Sequence, residues 1–383
     1  MIGPEDLTKI TENIGIFSQN DNIQLWELPD GQIKAPQGNF GVYYFETKTA
    51  QILEIQNKPQ DFKLHTQGIY FDHNTQNLYA INHPYDGLGD RIEVFSVNFE
   101  KKENIQLTYK YSLQTPPFLN GITNDLIKIS ENELLITEWL SYPDELKDPY
   151  RANFSGKFKK FKLFFKSLFT NQLTAVYSCT FDNKKAENSQ KNNNLLNNQD
   201  LNCIAQKQAY AIMNNGITWD KQNTVLIADT ASSLINTYQI NFDTQDRSQR
   251  LQKKGKIFTT RHPDNVEYDI YLKQYTTGGM GTLMNYFKFI KEQAKIHPEY
   301  TNQVENMWTF VDIIKPQQNG QFKLENVILR NNIMRGCSNG IQYKEQIVLT
   351  SFGDQSLMTC SLPQANPKKP RYMSKLQFLK SIL

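Results

Sequence analysis

Apolar residues alternate with polar ones in short runs along most of the chain, and the runs recur. The stretch PEDLTKITENIGIFSQ from Pro4 is the first of six related segments. It is followed by TQGIYFDHNTQNLYAINH from Thr66, TNDLIKISENELLITEW from Thr123, NNGITWDKQNTVLIADT from Asn214, PDNVEYDIYLKQYTT from Pro263 and SNGIQYKEQIVLTSF from Ser338. Each begins with a small or polar residue, then an amide or carboxylate, then Asp, Gly or Asn, and then an alternating apolar segment. Period two with β-branched and aromatic side chains predicts strands, and the polar turns that follow predict hairpins. The adjacent acids Glu5 and Asp6, taken alone, would suit the first turn of a helix. The repeat instead puts them in front of a strand.

Further apolar runs, GVYYFETK, IEVFSVNF and INTYQINF, lie between the repeats. Six hairpins with such runs between them predict four-stranded blades around an axis, an all-β six-bladed β-propeller forming one domain over residues 1–383. Six blades in 383 residues leave about 64 for each, against the 40 to 50 of an ordinary blade, so insertions are expected. One is placed at 150–208, a basic helix followed by a disordered Asn/Gln-rich loop, KKAENSQKNNNLLNNQD. Within Lys157 to Phe169, Phe158, Phe161, Phe164 and Phe165 fall at helical intervals among lysines. This helix either covers a propeller face or makes membrane-surface contact with anionic headgroups. A second, partly helical insertion is placed at 281–316.

The net charge of +3, from 42 basic and 39 acidic residues, is too balanced for a nucleic-acid partner. Cys179, Cys203, Cys337 and Cys360 show no CxxC or Cys/His spacing, which argues against zinc and leaves one disulfide open. No apolar run reaches the roughly 18 to 20 residues of a membrane span. A soluble intracellular protein is expected if the chain starts where given, and a secreted or membrane-associated one if a longer N-terminus exists.

In a propeller the innermost strands start near one end of the central channel, so the second residues of the six repeats should converge. They are Glu5, Gln67, Asn124, Asn215, Asp264 and Asn339, and each offers a side-chain oxygen. A ring of carboxylate and amide oxygens without thiolates matches calcium, which takes six to eight oxygen ligands. Any one of these residues serves equally as a turn cap. All six together, two of them acidic, favour a cation, because bare carboxylates near a closed axis repel each other and resist desolvation.

These residues resemble the paraoxonase/arylesterase family, calcium-dependent six-bladed propellers that hydrolyse lactones and aryl esters. The resemblance runs from EDL at Glu5 through QGIYF, LYAINHP, TNDLIKI, NNGIT and PDNV to LMTCSL near the C-terminus. It implies a catalytic calcium held by Glu5, Asn124, Asn215, Asp264 and Asn265. It further implies a structural calcium at Asp6, Asp125 and the backbone carbonyl of Ile69, with Glu5 and Asp6 pointing to opposite sides of the strand start. The family's general-base histidine falls on Gln67, its partner histidine on His83, and a third histidine near Thr276 in TTGGMG. Cys360 matches a cysteine that the family bonds to an N-terminal segment preceding Glu5.

The expected function is therefore a calcium-dependent hydrolase of aryl esters or lactones. The alternative is a calcium-binding propeller with weak or lost catalysis serving as a binding or scaffold protein, since an amide at Gln67 cannot accept a proton. His65, two residues upstream, is a substitute base on the same strand face or else a surface residue. The glycines of TTGGMG read as a turn, because no Lys-Ser/Thr follows them. No Gly-x-Ser-x-Gly elbow supports a serine hydrolase.

Overall fold

The structure, a computed structural model, describes residues 3–20, 37–84, 86, 88–100, 104–140, 172–182, 199–281, 308–331, 334, 336–353 and 356–362. Blade one is β1 (Pro4–Thr11), β2 (Ile14–Gln19), β3 (Asn39–Tyr44) and β4 (Thr49–Leu53). Blade two is β6 (Thr66–Asp72), β7 (Asn77–Asn82), β8 (Arg91–Asn98) and β9 (Gln106–Gln114), with the short β5 (Ile55–Gln56) and β13 (Gln199–Asp200) pairing in parallel on β9. Blade three is β10 (Thr123–Ser130), β11 (Glu133–Glu138), β12 (Val176–Thr180) and β14 (Asn202–Ala205). Blade four is β15 (Asn214–Trp219), β16 (Thr224–Asp229), β17 (Leu234–Ile240) and β18 (Leu251–Phe258). Blade five is β19 (His262–Asp269), β20 (Gln274–Met280), β21 (Trp308–Pro316) and β22 (Phe322–Asn331). Blade six is β23 (Cys337–Tyr343), β24 (Gln346–Ser351) and β25 (Met358–Ser361). Inner strands pack in the order β1, β6, β10, β15, β19, β23 and back to β1. This is the six-bladed all-β propeller expected from the repeats.

Alternation explains the packing. On β7, Leu78 and Ala80 join the core between blades one and two, while Tyr79 and Ile81 join the core between blades two and three. A blade with neighbours on both sides buries both faces, so its middle strands are apolar throughout. Six such cores result, one at each blade interface. The last, between blades six and one, packs Leu7, Phe17 and Phe45 against Ile341, Tyr343 and Val348. Among the described residues, ring closure thus uses side chains packed between the first and last blades. The Lys9 ammonium adds an ion pair to Asp269 at 2.5 Å and a hydrogen bond to the Gln342 carbonyl at 2.8 Å.

Aspartates at the ends of inner strands set the hairpin turns. Asp220 Oδ1 accepts from the backbone N–H groups of Gln222, Asn223 and Thr224, and Asp269 Oδ1 from those of Tyr271 and Leu272. Such local bonds hold the chain in the tight turn that a hairpin requires.

Both insertions are narrower than expected. Residues 172–182 and 199–208 belong to blade three or its connections, because β12 and β14 lie there. In the second, residues 308–316 form β21, the third strand of blade five, not helix. The expected basic helix at Lys157 to Phe169, most of the polar tract and residues 282–307 lie outside the described residues. The TTGGMG stretch is also not a turn, since Thr276 to Met280 lie in β20. A Cβ on Gly279 would meet the His262 carbonyl oxygen at 2.1 Å, so glycine there permits close strand pairing. Among the described residues no helix is long and apolar enough to cross a membrane.

The disulfide left open by the sequence is Cys179–Cys203, joining directly opposed positions of β12 and β14. It closes a loop of sequence separation 24. Closing such a loop restricts the unfolded chain, and its removal typically costs about 3 kcal/mol. We expect Cys179→Ala/Cys203→Ala to melt several degrees below the wild type under non-reducing conditions, and dithiothreitol to lower the wild type to the same value. Equal melting of wild type and double variant would exclude this role. Cys360 lies on β25 opposite Ile347.

Candidate functional site

All six inner hairpins share an irregularity at the strand start, which skips the polar dipeptide in five blades and Ser338 alone in blade six. Register shifts fall between Pro4 and Leu7, Thr66 and Ile69, Thr123 and Leu126, Asn214 and Ile217, Pro263 and Val266, and Cys337 and Asn339. A bulge re-aims the side chains of the skipped residues. It therefore replaces the simple alternation expected for Glu5 and Asp6, and both acids are buried.

The bulged dipeptides supply a buried polar cluster. Glu5, Asn124, Asn215, Asp264 and Asn265 are each at most 6 % exposed. The Asn215 amide donates to Asp264 Oδ1 at 2.5 Å and to Thr230 Oγ1 at 3.1 Å, and the Asn265 amide donates to Glu5 Oε1 at 3.4 Å. These bonds link blade four to five and five to one. They also consume the amide donors and leave the amide oxygens over. Glu5 Oε2, Asn124 Oδ1, Asn215 Oδ1 and Asn265 Oδ1 are buried without any hydrogen-bond partner among the described residues. Buried polar atoms are nearly always satisfied, so four unsatisfied acceptors at the inner-strand starts of blades one, three, four and five require an explanation.

Asp6 and Asp125 act differently. Asp6 Oδ2 accepts from Ile69 N at 2.9 Å, and Oδ1 accepts from Leu7 N at 2.8 Å and the Asn339 amide at 3.0 Å. Asp125 Oδ2 accepts from Ile217 N at 2.7 Å and Oδ1 from Leu126 N at 2.8 Å. Each carboxylate clasps the next blade through a backbone N–H that the bulge has freed. Gly68 makes room for this arrangement, since a Cβ there would lie 2.3 Å from Asp125 Oδ1. Asn339 is accordingly a partner of Asp6, with its own Oδ1 taken by Gly340 N at 2.7 Å.

Electrostatics mark the same region. Burial first, then Asp6 and Asp264, pushes Glu5 well above the ordinary carboxylate range. Burial raises Asp6 and, with help from Asp6, raises Asp125 strongly. Asp264 is pushed up to about 7, mainly by burial. Glu267, which repeat comparison missed, is pushed up to about 8 by burial and then by Asp6, and accepts from Thr8 Oγ1 at 2.6 Å. Its signal was an acid in an otherwise half-apolar inner strand. A raised folded-state pKa means that the unfolded chain gives up the proton first, so the fold loses stability as pH rises from the unfolded value toward the folded one. For Asp264 that window runs from 3.8 to about 7, and for Glu267 from 4.5 to about 8. We expect the melting temperature of chelator-treated protein to fall between about pH 5 and about pH 8, read by calorimetry. A flat or rising profile would contradict it.

The expected catalytic pair is separated by its contacts. Gln67 is partly exposed, and its amide makes no hydrogen bond among the described residues. His83 is buried and held between blades, with Nε2 3.0 Å from the Thr123 carbonyl and Nδ1 2.9 Å from the Asp90 carboxylate. Both ring nitrogens thus face acceptors and not open solvent. His65 is not a surface residue but is buried at 1 % exposure, its backbone N–H donating to Asn82 Oδ1 at 2.8 Å. Thr276, where the resemblance implied a third histidine, is buried within β20.

The sequence matches no family model and no curated protein. Solved structures of similar shape include a Bacteroides fragilis protein provisionally assigned as a 6-phosphogluconolactonase, 9 % identical over 90 % of both chains with a TM-score of 0.44. A functionally unknown protein from Desulfotomaculum acetoxidans is 9 % identical, covering 94 % of this chain and 89 % of that one, TM-score 0.40. A Lactobacillus plantarum protein is 6 % identical over 93 % and 94 % of the two chains, TM-score 0.40. Propellers serve hydrolases and binding proteins alike, so function has to be read from the site.

Proposed function

We propose that this chain is a calcium-dependent hydrolase of aryl esters or lactones, of paraoxonase/arylesterase type, acting at the channel mouth. The observation that carries this reading is the set of four unsatisfied buried oxygens on Glu5, Asn124, Asn215 and Asn265. Together with Asp264 they form an oxygen-only donor set suited to a hard cation. Among the described residues no three His, Cys, Asp or Glu side chains group as a metal site; three of the five donors proposed here are amides, which such a grouping does not include. A bound cation would also offset the burial, and after it the carboxylate repulsion, that raise Glu5 and Asp264. The second ion, at Asp6, Asp125 and the Ile69 carbonyl, rests on the resemblance alone, because those carboxylates already accept backbone N–H groups.

Calcium would supply an electrophile for an ester carbonyl and for the oxyanion formed from it. The chain's own residues do the rest. Glu5 and Asp264 bring negative charge, and the Asn215 and Asn265 donors fix the carboxylates in place. The partly exposed Gln67 offers an amide to an incoming substrate, but it takes no proton from water. Wild-type turnover is therefore slow, and the Gln67 amide with the enclosed ring of His83 favours, as the second reading, a calcium-binding propeller with a scaffold role. A panel of aryl acetates and aliphatic lactones, assayed with and without EDTA, separates them. EDTA-sensitive turnover supports the hydrolase. Bound calcium without turnover on any substrate leaves the scaffold.

A further inference from the structure

The opposite end of the channel holds a cavity of about 560 Å³, built where four inner hairpins end. Its lining includes Tyr70, Asp72, Lys128, Trp219, Lys221 and Tyr268. Lysines of the inner strands and turns reach this end of the propeller. Lys9 is paired with Asp269 at 2.5 Å and Lys128 with Asp72 at 2.8 Å. Lys221 has no carboxylate within ion-pair distance among the described residues. It stands at a left-handed position (φ 63°) in the β15–β16 turn, and its Nζ lies 4.0 Å from the centre of the Tyr70 ring and 5.5 Å from that of Trp219.

Its single polar contact is the Tyr70 hydroxyl, to which the amine is hydrogen-bonded. That hydroxyl also accepts from Trp219 Nε1 at 3.2 Å and donates to the Lys128 carbonyl at 3.3 Å. Tyr70 is thereby locked, and among the described residues Lys221 is the one lysine lining the cavity without a carboxylate at ion-pair distance. We propose that Lys221 is a nucleophilic amine that captures small aldehydes or ketones with a planar apolar body as imines, the aromatic rings of Tyr70, Trp219 and Tyr268 forming the walls that hold them.

Desolvation supports this by holding the Lys221 ammonium down at about 8, although Asp72 and Glu267 pull the other way. A lysine desolvated among apolar groups is a recurring source of such nucleophiles. The neutral Nζ adds its lone pair to the carbonyl carbon, and one of its protons passes to the oxygen to give a carbinolamine. The hydroxyl then leaves with the second N–H proton as water, and a C=N bond remains. No oxidant or reductant enters the step.

The test is trapping of the full-length protein with benzaldehyde and sodium cyanoborohydride at pH 7, followed by peptide mapping. At that pH the neutral fraction of a lysine near 8 exceeds that of an ordinary surface lysine by about a hundredfold; weaker intrinsic nucleophilicity leaves on the order of tenfold in rate. We expect the reduced adduct to concentrate on Lys221 by about that factor, with or without EDTA, and to vanish from that peptide in Lys221→Arg. Adducts spread evenly over the lysines of the wild-type protein, or a Lys221 peptide no more modified than the rest, would overturn the proposal whether or not the variant folds.

Discussion

Saturating calcium raises the melting temperature of chelator-treated protein by about 3 °C, and Glu5→Gln abolishes that rise. A ligand at a hundred times its dissociation constant stabilises the folded state by about 2.7 kcal/mol if the unfolded chain does not bind it. At about 2.1 cal/mol/K of unfolding entropy per residue, a chain of 383 residues shifts by about 1.2 °C per kcal/mol, and about 3 °C follows. The variant separates loss of metal from general damage. Gln keeps the size of Glu5 and its hydrogen bond from Asn265, and removes a carboxyl that burial, Asp6 and Asp264 already hold toward its neutral form. In EDTA, Glu5→Gln therefore melts no lower than the wild type, and only the calcium response disappears. Asp264→Asn behaves alike, with a smaller margin because Asp264 also accepts from Asn215. Scanning calorimetry at fixed pH with a calcium titration reads both effects. A Glu5→Gln protein that keeps the full calcium shift would remove the proposed donor set.

Gln67→His raises the turnover of phenyl acetate by about a hundredfold, within the 10² to 10⁴ that a positioned general base typically contributes. An exposed imidazole has a pKa of about 6.5, so the gain appears as pH rises through that value and the ring loses its proton. Residue 67 suits the substitution because its side chain is partly exposed at the channel mouth and makes no hydrogen bond among the described residues. His83, by contrast, faces Thr123 and Asp90 and not open solvent. The increase should fall on kcat, with KM nearly unchanged, and EDTA should abolish it. A variant that folds, binds calcium and turns over no faster would leave only the scaffold reading.

The two predictions draw on different levels of information. The repeat was legible because propeller blades bury both faces, which makes each hairpin a pair of apolar-rich runs and leaves most polar residues where strands start or turn. Glu5, Asn124, Asn215 and Asp264 could thus be aligned without coordinates. The same logic misjudged the insertions, since the outer strands β12, β14 and β21 lie beside long polar or mixed segments that mask their period-two pattern. It also assigned Glu5 and Asp6 to opposite sides of a regular strand, because a bulge adds no residue type that would announce it.

Local chemistry along the chain determined the all-β class, the six hairpins and the oxygen-rich character of the strand starts, since each depends on nearest neighbours and on period. Tertiary structure alone decided which oxygens are left without hydrogens, that Asp6 and Asp125 clasp neighbouring blades, that His83 is held between Thr123 and Asp90, and that Lys221 lies against Tyr70. Except for His83 and Asp90, those outcomes join residues from tens to hundreds of positions apart. Burial and pairing energies depend on that spatial company, and no local pattern carries it.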